Sequence, residues 1–190
     1  ARGTCFSHFG QNFFELDGKT WGIIGLGTIG RRVADIAKAF GAQVIYYSAS
    51  GRSAQKGYEQ VDFDTLLSKS DIVSVHAPLN EYTEGLMNAE AFAKMKPSAV
   101  LINVGRGPIV DEPALVDALN NGQIAGAGLD VMETEPLPAD SPLFNVKDPD
   151  KLLMTPHMAW ASVEARQRLV NEVALNLKAF LGGERRNRVD

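Results

Sequence analysis

Three glycines at positions 25, 27 and 30 constrain the fold of this chain more than any other feature. They stand in Gly25-Leu26-Gly27-Thr28-Ile29-Gly30, directly after the apolar run Trp21 to Ile24. The segment Ile29 to Phe40 follows, with Ile29, Val33, Ile36, Ala37 and Phe40 at helical spacing and Gly41 as its stop. Between a strand and a helix each glycine has a mechanical task. Gly25 permits a tight turn, Gly27 lets the backbone approach a pyrophosphate, and Gly30 lets the helix pack closely on the strand. The helix start adds unpaired N–H groups and the positive end of a dipole, which suit phosphates. The alternative is a βα turn that holds no ligand.

Short β-branched and apolar runs alternate with longer amphipathic segments along the rest of the chain, the pattern of repeated βα units. Strands are expected at Trp21 to Ile24, Gln43 to Tyr47, Asp71 to Val75, Val100 to Asn103, Ala125 to Asp130 and Leu152 to Thr155. Helices are expected at Ile29 to Phe40, Phe63 to Ser68, Asn88 to Met95, Pro113 to Asn121 and Ser162 to Leu181. The last places Val163, Leu169, Val170, Val173, Leu177 and Phe180 on one face, which reads as core packing. Between Val131 and Asp150 prolines and glutamates replace the pattern, and a loop of that length is usually functional or flexible. The expectation is an α/β, Rossmann-type, doubly wound parallel sheet with helices on both faces and strand order 3-2-1-4-5-6.

Composition narrows the partners. At 190 residues the chain has room for one large domain, and 45% apolar with 22% charged residues is ordinary for a globular core. A formal charge of −4 offers no broad cationic surface for nucleic acid or anionic lipid. The one basic cluster, Glu184-Arg185-Arg186-Asn187-Arg188, reads as a solvated terminus. A single cysteine, Cys5, forms no internal disulfide, and the three scattered histidines make no metal-ligand spacing, so no metal site is expected. No run approaches the roughly 20 apolar residues that cross a bilayer, and no leader opens the chain. A cytoplasmic protein is the expectation.

Three residues, each just beyond an expected strand, combine into one chemistry: Arg106, Glu135 and His157. The carboxyl ends of parallel strands are where open α/β sheets bind ligands. A ketone that accepts a hydride needs a proton donor; histidine titrates near neutrality, and a neighbouring glutamate stabilises its imidazolium. Arginine presents a planar fork to a carboxylate. Each residue also has a plain alternative: an ion pair for Arg106, solvent exposure for Glu135 and a structural hydrogen bond for His157. At the end of the second strand, where enzymes using unphosphorylated cofactor place an acid for the ribose hydroxyls, this chain has Ser48. Without that carboxylate a 2′-phosphate is not repelled, and Arg52 either pairs with one or is a loop charge. His76 reads as structural at the cofactor's border, Trp160 as a pocket wall or an interfacial aromatic, and no role is visible for His8.

The sequence resembles the D-isomer-specific 2-hydroxyacid dehydrogenase family over nearly its whole length. The resemblance is carried by the glycine turn, Val75-His-Ala-Pro-Leu79, Leu101-Ile-Asn-Val-Gly-Arg-Gly-Pro-Ile-Val-Asp111, Gly128-Leu-Asp-Val131 with Glu135-Pro136, and Thr155-Pro-His157. It implies that Arg106 binds the substrate carboxylate and carbonyl, that Glu135 supports the histidine and that His157 is the general acid and base. For the cofactor, NAD or NADP, it implies contacts from the turn with Gly25, Gly27, Thr28, Ile29 and Gly30, and from Ser48. Ala77, Pro78 and Thr83 lie beside the adenosine and ribose. Val104, Gly105, Arg106, Asp130, His157 and Ala159 lie on the nicotinamide side, with Asp130 at the carboxamide. The segment His157-Met-Ala-Trp160 is more similar to the glycerate dehydrogenase and hydroxypyruvate reductase branch. Glycerate, hydroxypyruvate and glyoxylate are the implied substrates; a cofactor-sensing corepressor or scaffold, and a formate or phosphite dehydrogenase, are the alternatives. Chains of this family are longer, so residues 1–15 are expected to lead from a substrate domain, 16–181 to form the dinucleotide-binding domain and 182–190 to return toward the substrate domain. The family's dimer contact lies on this domain, and Phe6, Phe9, Phe13 and Phe14 are aromatic anchors for it, or else pack within the chain; a homodimer is expected.

Overall fold

The computed structural model describes residues 13–51 and 55–188. Arg52, His8, Cys5, Phe6 and Phe9 lie outside those residues. Seven parallel strands form one sheet: β1 Thr20–Ile24, β2 Gln43–Tyr47, β3 Glu59–Gln60, β4 Ile72–Val75, β5 Val100–Asn103, β6 Gly126–Leu129 and β7 Leu152–Met154. Their order is β3-β2-β1-β4-β5-β6-β7. For the six strands expected from the sequence the order 3-2-1-4-5-6 does not hold, because the strand beside β2 is the two-residue Glu59–Gln60, which carries no apolar pattern and is exposed at the sheet edge. Asp71 to Val75, third in the sequence reading, is therefore the fourth strand and pairs with β1, as Gly22 opposite Val73. The chain crosses from one edge of the sheet to the other side of β1 between β3 and β4, which leaves a crevice between the C-terminal ends of β1 and β4. An open α/β sheet binds ligands at such a point.

Helices cover both faces. On one, α1 (Thr28–Ala39) packs Ala34 and Ala37 with Ile23, Val44 and Tyr46. On the other, α2 (Phe63–Lys69), α3 (Ala89–Lys94) and α4 (Glu112–Asn120) enclose a larger core around Leu67, Val73, Phe92, Leu101 and Leu115. Asp62, Asn88 and Asp111 cap these three helices with side-chain oxygens, at the N–H groups of Thr65, Ala91 and Ala114. The stretch after β6 is less irregular than its prolines suggest: it contains short 3-10 turns at Pro142–Asn145 and Pro149–Lys151 and buries Leu143.

The final helix corrects one expectation. α5 spans Val163–Leu181 and is capped by Ser162, but only Ala179 of its residues is buried. Val170, Val173, Leu177 and Phe180, expected in the core, are exposed, Phe180 by 79%. An apolar stripe says that a helix face is made to be covered, but it does not name what covers it. In α1 the same holds for Ile29, Ile36 and Phe40, which lie outward while Ala34 and Ala37 face the sheet. Phe13 and Phe14 are 89% and 78% exposed, with the Lys19 ammonium 5.4 Å from the centre of the Phe14 ring. Among the described residues no helix is long and apolar enough to cross a membrane.

Candidate active site

The turn between β1 and α1 uses its glycines as the spacing predicts. Gly25 has φ +92°, a conformation costly for any residue with a Cβ, and a Cβ there would come within 2.7 Å of the Ala77 amide nitrogen. A Cβ on Gly30 would overlap the Gly25 carbonyl oxygen, so the helix approaches the turn this closely only without one. Gly27 differs: a Cβ there would meet nothing within 4 Å. That open side faces a cavity of about 370 Å³ lined by the turn, Arg31, Ser48 to Ser50, Gln55, His76 to Pro78, Asn80 and Thr83. α1 begins at Gly27 with no side-chain cap, whereas α2 to α5 all have one. The first-turn amides of α1 are thus left to a ligand at the open face of Gly27, which fits a dinucleotide's phosphates.

Ser48 lies just past β2, with its hydroxyl 3.4 Å from that of Ser50. No carboxylate lines this cavity, and Arg31 is its charged lining residue among those described. Arg31 was not singled out by sequence reasoning; its guanidinium donates to Gln55 at 3.4 Å. Thr83 is buried and donates its hydroxyl to the Pro78 carbonyl at 2.7 Å, so it shapes the cavity wall. His76 is part of that wall. Its Nε2 is 3.1 Å from the Ser74 hydroxyl, which accepts from the Trp21 indole, and its buried Nδ1 has no hydrogen-bond partner among the described residues. Burial lowers its pKa to about 4, so it is neutral at physiological pH.

A second hollow of about 370 Å³ opens over β5 to β7, lined by Ile102, Val104, Gly128, Leu129, Asp130, Leu153, Thr155, Met158 and Ala159. Its apolar walls with one carboxylate suit a flat ring carrying an amide. Gly105 packs against Ala77 and ties the two hollows together, because a Cβ on it would lie 3.1 Å from the Ala77 carbonyl. The loop Val104 to Gly107 is held by a residue to which the sequence reading assigned no role. Buried Asn103 accepts from the Gly105 amide and donates to the Arg106 carbonyl, both at 3.0 Å. Arg106 itself is exposed and donates to the Gly105 carbonyl at 2.7 Å. Among the described residues it forms no salt bridge, so the ion-pair alternative is not met.

Glu135 and His157, 22 residues apart, are brought together: His157 Nδ1 lies 2.7 Å from Glu135 Oε2. The bond to His157 and a second one from the Met132 amide to Oε1, at 3.0 Å, hold the Glu135 carboxyl below its ordinary pKa. The carboxylate is ionised at neutral pH, so Nδ1 carries the proton it donates to Glu135, and the His157 side chain stays 42% exposed. His157 has φ +48°, which a non-glycine residue adopts only when its surroundings impose it. Asp130 imposes it. Its carboxylate accepts from the Thr155 hydroxyl at 2.6 Å and from the Met158 and Ala159 amides at 2.8 Å each, and its carbonyl accepts from the His157 amide at 2.9 Å. Burial raises the Asp130 carboxyl, but these donors, with the nearby imidazole, bring it below its ordinary value. Trp160 stays half exposed and donates its indole N–H to the His157 carbonyl at 3.0 Å, closing the same turn.

Comparison with known proteins agrees with this geometry. A hydroxypyruvate reductase of Blautia hydrogenotrophica is 46% identical over 171 residues, which are 89% of this chain and 52% of that protein. A glyoxylate reductase of Thermofilum pendens is 48% identical over 174 residues, 90% of this chain and 50% of that protein. A solved acyclic imino acid reductase in complex with NADPH and D-Arg superposes with a TM-score of 0.83 at 40% identity, covering 92% of this chain and 54% of that one. The chain thus spans about half the length of the curated relatives it matches. Residues 3–159 match the profile of the D-isomer specific 2-hydroxyacid dehydrogenase NAD binding domain. By that match the chain belongs to the D-isomer-specific 2-hydroxyacid dehydrogenase family, and residues 3–159 correspond to its NAD-binding domain.

Proposed function

We propose that this chain is the cofactor half of an oxidoreductase that interconverts small 2-oxo acids and D-2-hydroxy acids, with glyoxylate, hydroxypyruvate and glycerate as substrates. The observation that carries the reading is the 2.7 Å contact between Glu135 and His157 at the carboxyl edge of the sheet, beside a turn fitted to a dinucleotide. The first-turn amides of α1 and the open face of Gly27 hold the pyrophosphate, and Asp130 with Val104 and Ala159 borders the nicotinamide. NAD(H) or NADP(H), when bound, supplies or accepts the hydride at the carbon that bears the substrate oxygen.

The chain's own residues manage the proton and the charge. Ionised Glu135 accepts from His157 Nδ1–H, which fixes the ring with Nε2 toward the substrate oxygen. In reduction Nε2–H gives its proton to that oxygen as the hydride arrives; in oxidation Nε2 takes it back. Glu135 stabilises the imidazolium form that carries the second proton. Arg106, with one guanidinium N–H spent on the Gly105 carbonyl, turns the rest of its fork to the substrate carboxylate.

A second domain, supplied by the part of the longer relatives outside the match, closes over this edge and excludes water. The uncovered stripe of α5 supports a large partner surface. Exposed Phe13 and Phe14 support a homodimer, which light scattering at tens of micromolar tests: a monomer mass refutes it. The activity itself is tested by His157→Ala in the full-length protein. Turnover of hydroxypyruvate or glyoxylate falls by about 10²–10⁴-fold with dinucleotide affinity nearly unchanged, and a variant with wild-type rates across pH overturns the reading.

A further inference from the structure

Glu135 reaches His157 from an exposed loop, and an exposed loop does not by itself hold a carboxylate in one place. After β6, Val131 and Met132 are buried, but Glu133 to Pro136 are exposed. What fixes this loop is the peptide between Met132 and Glu133, which is gripped from two sides. On one side lies Gly107, the residue after Arg106. A Cβ there would overlap the Met132 carbonyl group and lie 2.5 Å from the Glu133 amide nitrogen, so the two loops meet backbone to backbone. On the other side lies Glu112, the first residue of α4, whose Oε1 accepts from that same Glu133 amide at 2.8 Å.

Glu112 is an unusual residue to find there. It is 5% exposed, and glutamate is almost never buried without a partner. Among the described residues it has no cation in salt-bridge range. Asp111 already caps α4 at the Ala114 amide, so the helix start does not need it. Burial raises its carboxyl and the Glu133 amide opposes that rise. Its partner is a single amide two residues before Glu135, and the adjacent amide, of Met132, is the one that holds Glu135 Oε1.

We propose that Glu112 is a positioning residue for the Glu135–His157 pair. By holding the Met132–Glu133 peptide against Gly107 it aims the Met132 amide at Glu135 Oε1 and so sets the carboxylate that orients the imidazole. It touches neither substrate nor cofactor. Through Gly107 the same clamp ties the Arg106 loop to the Glu135 loop, so the substrate-carboxylate fork and the proton donor share one support. This inference rests on the dehydrogenase reading above. A carbonyl oxygen suffices for the contact, so glutamine substitutes for Glu112 and alanine does not.

The test uses the full-length protein with Glu112→Ala, Glu112→Gln, Glu135→Gln and His157→Ala. We expect Glu112→Ala to lower kcat by about 10- to 100-fold, the scale of a small misplacement of catalytic groups, with dinucleotide Kd unchanged. Its kcat/KM profile should move along the pH axis in the direction seen for Glu135→Gln, and hydrogen exchange at the Glu133 amide should speed up. Glu112→Gln should return kcat to within about threefold of wild type, since it keeps the acceptor. Should Glu112→Ala not fold, Glu112→Asp, one methylene short of the amide, is read by the same measurements. The inference is overturned if Glu112→Ala only melts earlier while kcat and the pH profile stay at wild-type values, or if Glu112→Gln is as impaired as Glu112→Ala. Full turnover by His157→Ala would instead refute the underlying reading, so the two failures are separate.

Discussion

Replacing Asp130 with asparagine separates the support of His157 from its chemistry. The carboxylate accepts three hydrogen bonds, two at Oδ1 from Thr155 and Met158 and one at Oδ2 from Ala159. An asparagine that keeps its oxygen at the Oδ1 position retains the first two as neutral bonds and turns an N–H2 group toward the Ala159 amide, donor against donor. The lost bond is charge-assisted and amounts to about 1.5–3 kcal/mol. The left-handed backbone of His157, φ +48°, costs about 1–3 kcal/mol wherever its surroundings do not impose it. With one amide released, the turn gains an alternative of comparable energy. A penalty of about 2–3 kcal/mol on the productive arrangement raises the ratio of released to correctly set turns roughly 30- to 150-fold, since about 1.4 kcal/mol is a factor of ten. We expect hydrogen exchange at the Met158 and Ala159 amides of Asp130→Asn to accelerate by that factor, measured on this chain, and kcat of the full-length protein to fall by at most the same factor. The strands should keep their protection, because the bonds lost belong to one turn. Wild-type exchange at Met158 and Ala159 would refute the reasoning, whatever the activity.

Two further outcomes follow from the same geometry. His76 titrates near 6.5 in an unfolded chain and at about 4 in its buried site, so above pH 6.5 it contributes no pH dependence. As the pH falls from 6.5 to about 4 the unfolded state binds the extra proton and stability drops by about 3 kcal/mol. Urea titrations across that window should show a slope that His76→Asn removes, and an equal slope in both proteins would exclude His76 as the cause. The lowered carboxyls of Asp71 and Asp130 lose their contribution only below about pH 4, outside most of that window. Ser48→Asp should weaken NADP and favour NAD, through repulsion of a 2′-phosphate; calorimetry that finds NADP wholly excluded from the unsubstituted chain contradicts this.

Local chemistry made much of this protein readable from its residues. The glycine turn was legible because each glycine answers a steric demand between neighbours in sequence: the φ of Gly25, the overlap a side chain on Gly30 would make with Gly25, and the open face of Gly27. Six strands and five helices were legible because parallel strands covered on both faces read as short apolar runs, and a helix face recurs every 3.6 residues. Arg106, Glu135 and His157 could be grouped because each follows a strand, and parallel strands share one carboxyl edge. The 2.7 Å contact between Glu135 and His157 was not in the pattern, since a separation of 22 residues that also spans β7 admits many closures.

Tertiary structure decided what periodicity leaves open. Glu59–Gln60 is a strand only because the edge of β2 offers it hydrogen bonds, as no apolar pattern marks it. α5 has the stripe of a core helix yet stays uncovered over the described chain, since amphipathicity specifies a face and not its partner. Glu112 and Asp130 hold the loops of the site through backbone amides 21 to 29 residues away in sequence, each at 2.8 Å. A backbone amide has the same chemistry at every residue, so sequence identity cannot mark which side chain will meet it. Sequence by itself determined the repeating units and the turn between the first two; only the folded sheet, by bringing strand ends together, determined which groups hold the histidine in place.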